Sequence, residues 1–352
     1  MKRTMISAFF TLSLVLFATG GAWAEARRVY IAASYEKEHV CGWPQEEGVL
    51  KGLSKQGWFE GINLEVRRSY MDTKRKNTTP AAMQKAGAAV LEDIEAFKPD
   101  VLVTLDDNAF REAGLKVAGR SDIAVVFSGM NGQPENYNAR TPYLQSRERP
   151  GSNITGVYEK LYVERSIKVM EKAVAGLSGG TIVGITDYSP TGNALTRQFE
   201  IELQKQSGAI AWRLERVKNW QAYVNLIADL NNDDSVRAIY PVALTLKVSD
   251  TETYTAPEIF KWTMAHSNKP EMALNYFFSK VGLFGGAAVD FKAMGFLAGK
   301  KAGRILNGEK AGALPIEDAP DYAIVFNLKR ARQLGVEIPV PLLTAADYVY
   351  QE

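Results

Sequence analysis

Short apolar or β-branched runs alternate along this chain with longer segments whose apolar residues recur at helical spacing. The first run, residues 29–33, precedes a helix that we expect to extend to about residue 58. A later segment carries the clearest helix signals, because Thr79 suits an N-cap and Pro80 suits the first helical position. The apolar residues of that segment share one helix face: Met83, Ala86, Val90, Ile94 and Phe97. This alternation is typical of parallel strands joined by crossover helices, so the pattern predicts an α/β protein.

The alternation forms two series, separated by a stretch that has no period. In the first series we expect strands at residues 29–33, 63–68, 100–104 and 123–127, and helices at 44–58, 80–97 and 108–118. Between residues 128 and 152, Gly, Pro, Asn, Arg and Ser dominate, which indicates a boundary or an elaborated loop. In the second series we expect strands at residues 153–158, 181–186, 211–217, 236–240 and 271–275, and helices at 163–173, 191–206, 220–230 and 256–266. Two consecutive series of similar length predict two lobes built alike.

The last third of the chain does not begin a third lobe. It offers glycines at 282, 285 and 286, a small-residue helix at 291–306 and one strand at 322–326, which are too few to close a sheet. We therefore expect two Rossmann-like lobes with parallel sheets, joined by a hinge that the chain crosses several times. The predicted N-terminal lobe comprises residues 25–152 and about 280–318, and the C-terminal lobe comprises 153–279 and about 319–352.

The first 24 residues have the features of a secretory signal peptide. Lys2 and Arg3 precede an apolar run at residues 5–19, and Ala22 and Ala24 form a small-residue cleavage site. We expect cleavage after Ala24 and a soluble, periplasmic protein, since no later run approaches the ~20 apolar residues of a membrane span. The single cysteine, Cys41, lies well downstream of the cleavage point, so a lipid anchor is not expected.

Composition excludes several classes of partner. The chain has 42 basic and 40 acidic residues, so it lacks the basic excess that binding to nucleic acid or anionic lipid requires. The short run Lys74, Arg75, Lys76 is expected to be a solvated loop. A hydrophobic content of 46% supports a sizeable core, and a single cysteine excludes an intramolecular disulfide. With no signal for oligomerisation, we expect a monomer.

The sequence lacks the catalytic and cofactor-binding motifs of the common enzyme classes. His39 and His266 are the only histidines, and neither has a partner at catalytic or metal-ligand spacing. Motifs for zinc proteases, redox dithiols, nucleophile elbows, phosphate loops and dinucleotides are also absent. We therefore expect no cofactor, no metal and no catalysis. The remaining enzymatic alternative is an exported hydrolase or isomerase that uses Asp106, Asp107 or Asp187 as acid or base.

Polar and aromatic residues follow the predicted strands in both series. Ligands of open parallel sheets bind beyond the carboxyl ends of the strands, so these residues are the candidate ligand site. The candidates of the first series are Ser34, Tyr35, Glu36, Asp72, Asp106, Asp107, Asn108, Ser128 and Asn131. The candidates of the second series are Tyr158, Glu159, Asp187, Tyr188, Thr191, Asn275 and Tyr276. Two facing rims of this kind predict a clamp for a ligand with a flat apolar part and a cationic or hydrogen-bond-donating group.

Simpler structural roles remain open for several of these residues. Asp107 or Asn108 could only cap the following helix, and the tyrosines could pack the lobes together. Asp72 could pair with Lys74 or Arg75 within its loop.

Some of the same segments resemble a known family. They are residues 33–35 with 42–43, 70–75, 100–108, 126–132, 153–157, 327–335 and 338–339. In order and spacing they are similar to the ABC transporter substrate-binding protein family, whose members are periplasmic solute-binding proteins of the type I fold. Several are closer to a branch that also occurs as extracellular sensor domains. Residues 241–245 lack the acidic residue that we would expect in members that bind amino acids, which argues against an amino-acid ligand.

The resemblance implies a receptor without enzymatic activity that closes on a small molecule and presents it to the membrane permease of an ABC transporter. An alternative is a free-standing periplasmic sensor that feeds a signalling receptor such as a sensor kinase. In both cases ligand binding would shift the population towards the closed form, in which both lobes touch the ligand.

Overall fold

The computed structural model describes residues 26–204, 210–242, 245–249, 251–319 and 322–351. The predicted signal peptide lies outside the described residues. Among the described helices, none is long and apolar enough to cross a membrane.

Strands and helices alternate through most of the chain. The strands are β1 (Arg27–Ala33), β2 (Leu64–Tyr70), β3 (Val101–Leu105), β4 (Ala124–Met130), β5 (Ile154–Tyr158), β6 (Thr181–Asp187), β7 (Ala211–Val217), β8 (Val236–Pro241), β9 (Leu246–Lys247), β10 (Thr253–Tyr254), β11 (Gly285–Val289), β12 (Glu317–Asp318), β13 (Tyr322–Asn327) and β14 (Tyr348–Tyr350). The helices are α1 (Gly42–Ser54), α2 (Pro80–Phe97), α3 (Asp106–Glu112), α4 (Pro134–Asn138), α5 (Val163–Ala173), α6 (Pro190–Leu203), α7 (Trp220–Asn232), α8 (Ala256–His266), α9 (Tyr276–Lys280), α10 (Phe291–Leu306), α11 (Leu328–Leu334) and α12 (Val340–Thr344).

The first lobe is built on a six-stranded sheet in the order β12-β5-β4-β3-β1-β2. Every neighbouring pair in this sheet is parallel, as the βα alternation predicts. Its central strands are apolar and buried along their length, since helices cover both faces of such a sheet. All carboxyl ends therefore meet at one edge, which faces the second lobe.

The second lobe has two three-stranded sheets, β7-β6-β8 and β11-β13-β14. Residues 271–275 connect them as an extended segment, because Ile239 bridges to Glu271 on one side and Met272 bridges to Gly285 on the other. Strand β13 runs antiparallel to β11, and all other pairs in these two sheets are parallel. A buried ion pair between Arg330 and Glu271 links α11 to the extended segment that connects the two sheets.

The chain passes between the lobes three times, after β5, after β11 and after β12. Two strands lie in a different lobe from the one expected. Strand β5 extends the first sheet through its pairing with β4, whereas the sequence suggested that it opens the second series. Strand β11 pairs with β13 in the second lobe, whereas the stretch after residue 280 was expected in the first. The hydrophobic pattern predicts where a strand lies. It does not predict which strand pairs with it, because pairing depends on contacts between residues far apart in the sequence.

Most predicted helices are confirmed to within a few residues. Thr79 accepts a hydrogen bond from the Ala82 amide and caps α2, as expected. Helix α3 differs from its prediction, because it begins at Asp106 rather than at residue 108 and ends at Glu112. The backbone then tightens into a 3₁₀ turn at Gly114–Val117, so the predicted helix to residue 118 is two shorter elements.

Helices α1 and α10 pack backbone against backbone. This contact positions the first-lobe side of the cleft, which is the space between the carboxyl ends of the first sheet and the second lobe. A Cβ added at Gly295 would lie 2.1 Å from the Gln45 carbonyl, and one at Gly48 would lie 2.2 Å from the Lys292 carbonyl. Only glycine permits so close an approach. The contact fixes the first turn of α1, from which the Gln45 side chain reaches the carboxyl ends of β3 and β4.

Candidate functional site

Asp106 lies at the carboxyl end of β3 with a left-handed backbone conformation, φ +66°, which is uncommon for residues other than glycine. Its side chain is only 3% exposed, and one carboxyl oxygen accepts a 3.4 Å hydrogen bond from Gln45 Nε2. Burial raises the pKa of Asp106 to about 8, while the Lys74 ammonium opposes this shift and Asp107 adds to it. A strained backbone and a desolvated carboxyl both cost stability, and such features cluster at functional sites.

Glu159 supplies a second buried carboxyl next to the hinge. It follows β5, is 1% exposed and accepts a 3.1 Å hydrogen bond from Asn131 Nδ2. Burial, followed by the charges of Asp106 and Asp107, holds the pKa of Glu159 well above its usual range. Asn131 Oδ1 is buried and has no hydrogen-bond partner among the described residues. Unpaired acceptors of this kind are costly unless a ligand pairs with them.

Lys74 reaches the centre of the cleft from the loop after β2. Its Nζ lies 4.2 Å from the centroid of the Tyr35 ring, and its charge opposes the burial-driven rise in the pKa of Asp106, Glu159 and Asp187. Asp106 and Glu159 belong to the first lobe and Asp187 belongs to the second, so the Lys74 ammonium group lies close to carboxyl groups of both lobes. The expectation that residues 74–76 form a solvated loop is therefore wrong for Lys74, although Arg75 and Lys76 are exposed.

Tyr35 is the aromatic centre of the first-lobe rim. Its ring packs against His39 at 4.3 Å between centroids, on a side chain that is 5% exposed. Burial, followed by the charge of Asp106, raises the pKa of the Tyr35 hydroxyl well above its usual range, so the hydroxyl remains a donor. Burial, followed by the charge of Lys74, lowers the pKa of His39.

A cavity of about 110 Å³ is lined by both lobes and includes His39 and Lys74, which pack against Tyr35. The first lobe contributes Glu36, Glu38, His39, Val40, Cys41, Lys74 and Arg75, and the second contributes Thr245, Thr255, Ala256, Pro257 and Phe278. The lobes also touch directly, because Asn275 Nδ2 lies 3.9 Å from Cys41 Sγ. Burial raises the pKa of the Cys41 thiol, which keeps it protonated.

Four further candidates hold the loops that shape the cleft. Ser34 Oγ donates to the Leu105 carbonyl and accepts from the Ala109 amide. Ser128 Oγ donates to Gln45 Oε1. Asp107 accepts from the Asn131 and Gly132 amides and from the Tyr137 hydroxyl. Asp187 does the same in the second lobe, where it accepts from the Ser189 and Thr245 amides.

The polar candidates at the first-lobe rim and the hinge are also engaged. Asp72 pairs with Arg75 at 3.3 Å, which is the loop role that the sequence left open. Asn108 donates to Thr73 Oγ1, and Asn275 caps α9 by accepting from the Phe278 amide. Glu36 is the exception, because it lines the 110 Å³ cavity and its buried Oε2 has no hydrogen-bond partner among the described residues, although Arg75 Nε lies 3.8 Å away.

The remaining candidates, three tyrosines and one threonine, are spread more widely. Tyr188 is 52% exposed and lies under the Arg216 guanidinium. Tyr276 stacks on Tyr348 with 4.6 Å between ring centroids. Thr191 lies in the first turn of α6. Tyr158 is the last residue of β5 in the first sheet, and its hydroxyl is within hydrogen-bond distance of the Gln133 and Gln198 amides.

Two residues of the cleft centre were not among the sequence candidates. Lys74 follows a strand end, so the rule that selected Asp72 could also have selected it. Gln45 lies in the first turn of α1 and links Ser128 to Asp106, and nothing in the local sequence indicates that position. In the described part of the chain, no group of three His, Cys, Asp or Glu side chains could hold a metal ion.

Two α/β lobes, three crossings and a buried polar site at the facing strand ends define a two-lobed binding protein of the type I periplasmic class. A family model described as ABC transporter substrate binding protein matches residues 37–350, and the chain belongs to this family. The resemblance noted in the sequence is thereby confirmed.

Solved structures share the fold at low sequence identity. A conserved domain protein from Vibrio cholerae matches with a TM-score of 0.68 and 20% identity, covering 92% of this chain and 100% of that one. An ABC domain from Streptococcus pneumonia in complex with L-Trp matches with a TM-score of 0.69 and 17% identity, covering 92% and 100%. A ligand-free, open substrate binding protein with adhesive properties from Clostridium difficile matches at 0.67 and 16%, covering 93% and 100%. No curated protein matches the sequence.

Proposed function

We propose that this chain is an exported solute-binding protein, cleaved after Ala24, that captures a small molecule between its lobes. It then delivers the molecule to the permease of an ABC transporter without chemically changing it. The family membership and the two-lobed fold support the binding role. The sequence features of residues 1–24 support export to the periplasm.

This proposal rests mainly on the burial and sparse hydrogen bonding of the Asp106 carboxyl. Its carboxyl is buried at a strand end that faces the second lobe, on a left-handed backbone, with one long hydrogen bond from Gln45. Within the described residues, no cation lies within 4.0 Å of this carboxyl to compensate for its burial. A ligand that donates a hydrogen bond or carries a positive charge would offset that cost on closure.

The site favours a solute with a flat apolar part and a donor group. Tyr35 supplies an aromatic wall, and Asp106 and Glu159 supply acceptors. Lys74 already lies over the Tyr35 ring, so we expect the donor group at the two carboxyls rather than at the ring. The bound L-Trp of the Streptococcus pneumonia structure supports a flat apolar part, whereas the absence of an acid in residues 241–245 speaks against the amino-acid group itself.

Mass spectrometry of the compound released from the purified protein tests the proposal. We expect a small molecule of this type, bound one per chain, that raises the melting temperature when it is added back. Unchanged recovery of the compound after prolonged incubation is also expected, since the protein does not act on it. Turnover of the compound, or no small molecule that stabilises the protein, would contradict the proposal.

A further inference from the structure

A second cavity between the lobes, of about 330 Å³, has a chemistry different from that of the carboxyl site. We name it the arginine pocket. The first lobe lines it with Arg111, Asn131, Gly132, Gln133, Asn136, Tyr137 and Arg140. The second lobe lines it with Pro190, Asn193, Ala194 and Arg197, all from the first half of α6. Because each lobe provides part of the wall, the pocket is complete only when the cleft is closed.

Positive charge dominates the arginine pocket. Three guanidinium groups line it, and none of its described lining residues is a carboxylate. Arg111 is engaged by Glu112 at 2.6 Å and by Asn108 at 2.7 Å. Arg140 has no ion pair within 4.0 Å in the described ranges, and Arg197 has only Glu200 on its own helix, at 3.8 Å. Closure therefore brings uncompensated positive charge of both lobes to one cavity, which opposes closure unless an anion lies there.

Asn131 gives an independent indication of a bound group. It is 6% exposed, lines the pocket and donates a hydrogen bond to Glu159. One amide atom is bonded to Glu159 and the other, Oδ1, has no partner among the described residues. Burial, followed by the charges of Asp106 and Asp107, raises the pKa of Glu159 and favours its protonated form, which can donate to Oδ1 when the amide is turned over. The NH₂ group is then free to donate into the pocket.

We propose that the arginine pocket binds an anionic group, a phosphate or a carboxylate, and that this group bridges Arg140 of the first lobe and Arg197 of the second. The guanidinium fork matches the oxygens of both groups, and the first turn of α6 adds the positive end of its dipole. The inference rests on the proposed function and deepens it, because an anion that requires both lobes stabilises the closed form. The anion is either part of the solute or a separate ion.

Inorganic phosphate is the probe for this site. We expect sodium phosphate to raise the melting temperature of the mature protein more than sodium chloride does at equal ionic strength. Calorimetry should show saturable binding of phosphate. The double variant Arg140→Gln/Arg197→Gln should weaken that binding at least about tenfold, the usual effect of losing a charged hydrogen bond. Both side chains are at the surface, so melting without phosphate should show a folded variant.

The matched control is Arg332→Gln, which removes an exposed arginine on α11 and should leave phosphate binding unchanged. Competition between phosphate and the released compound would assign the anionic group to the solute, and simultaneous binding would assign it to a separate ion. Phosphate that is no more effective than chloride, or equal binding to wild type and the double variant, would overturn the inference. Solute capture is measured separately, so that result would leave the proposed function standing.

Discussion

Replacing Asp106 with asparagine is expected to weaken binding of the captured solute by roughly ten- to a hundredfold and to raise the stability of the unliganded protein. The loss of affinity follows because a charged hydrogen bond in a desolvated site contributes about 1.5–3 kcal/mol. The gain in stability follows because asparagine removes a buried ionisable group. Asparagine also tolerates the left-handed conformation of this residue, so the backbone strain does not increase. Calorimetry and thermal melting measure the two effects.

The same substitution should change how stability depends on pH. The pKa of Asp106 is about 8 in the fold, above the ~3.9 of an aspartate in an unfolded chain. The folded protein therefore binds the extra proton, and the contribution of Asp106 to stability falls as pH rises from about 4 to about 8. The advantage of the asparagine variant should grow up to about pH 8 and then level off. A difference in melting temperature that does not change between pH 6 and pH 9 would contradict this account.

Three further variants make the test specific. Asp229→Asn removes an exposed carboxyl on α7 and should change neither binding nor its pH dependence. Asp107→Asn and Asp187→Asn should reduce binding through the loops that these residues hold, with a loss of stability rather than a gain. If the asparagine variants of Asp106, Asp107 and Asp187 all bind as wild type does while folded, the proposed carboxyl site is wrong.

Replacing Gly295 with alanine is expected to destabilise the protein by about 3 kcal/mol or more, at the upper end of the usual cost of overpacking. The added Cβ would lie 2.1 Å from the Gln45 carbonyl oxygen. Because this oxygen belongs to the backbone, a change of side-chain rotamer cannot relieve the clash. Separation of α1 from α10 would also move Gln45 away from Asp106 and Ser128. Urea unfolding followed by circular dichroism measures the stability change.

The control for this substitution is Gly42→Ala in the first turn of α1. There the nearest atom to an added Cβ is 3.9 Å away, so little change is expected. Equal stability of the two variants would show that the close approach of α1 and α10 is not required.

Local signals predicted local structure well. Thr79 and Pro80 fix the start of α2, because the cap and the first helical position depend only on neighbouring residues. The partner of β5 depends instead on its contact with β4, where the Phe127 ring packs over Gly156. A strand signal contains no information of that kind, so the strand was predicted and its lobe was not.

The same distinction separates the candidate site residues. Asp106 and Asp107 are adjacent in the sequence and follow the same strand, and nothing local distinguishes them. In the structure Asp107 is bonded to the loop after β4, whereas Asp106 is bonded to Gln45 and burial raises its pKa to about 8. Lys74 was classed with its charged neighbours, although contact with Tyr35 places it in the cleft. Strand ends can be found from sequence, but the assignment of each side chain there depends on tertiary contacts.

Small-angle scattering with and without the released compound tests the central claim that two lobes close on a solute. The account predicts a monomer whose radius of gyration falls on saturation, because the ligand touches both lobes only in the closed form. The Arg332→Gln variant should compact to the same extent, since no described residue of α11 lines either cavity between the lobes. A radius of gyration that stays unchanged when the protein is saturated with the compound would contradict the closing clamp.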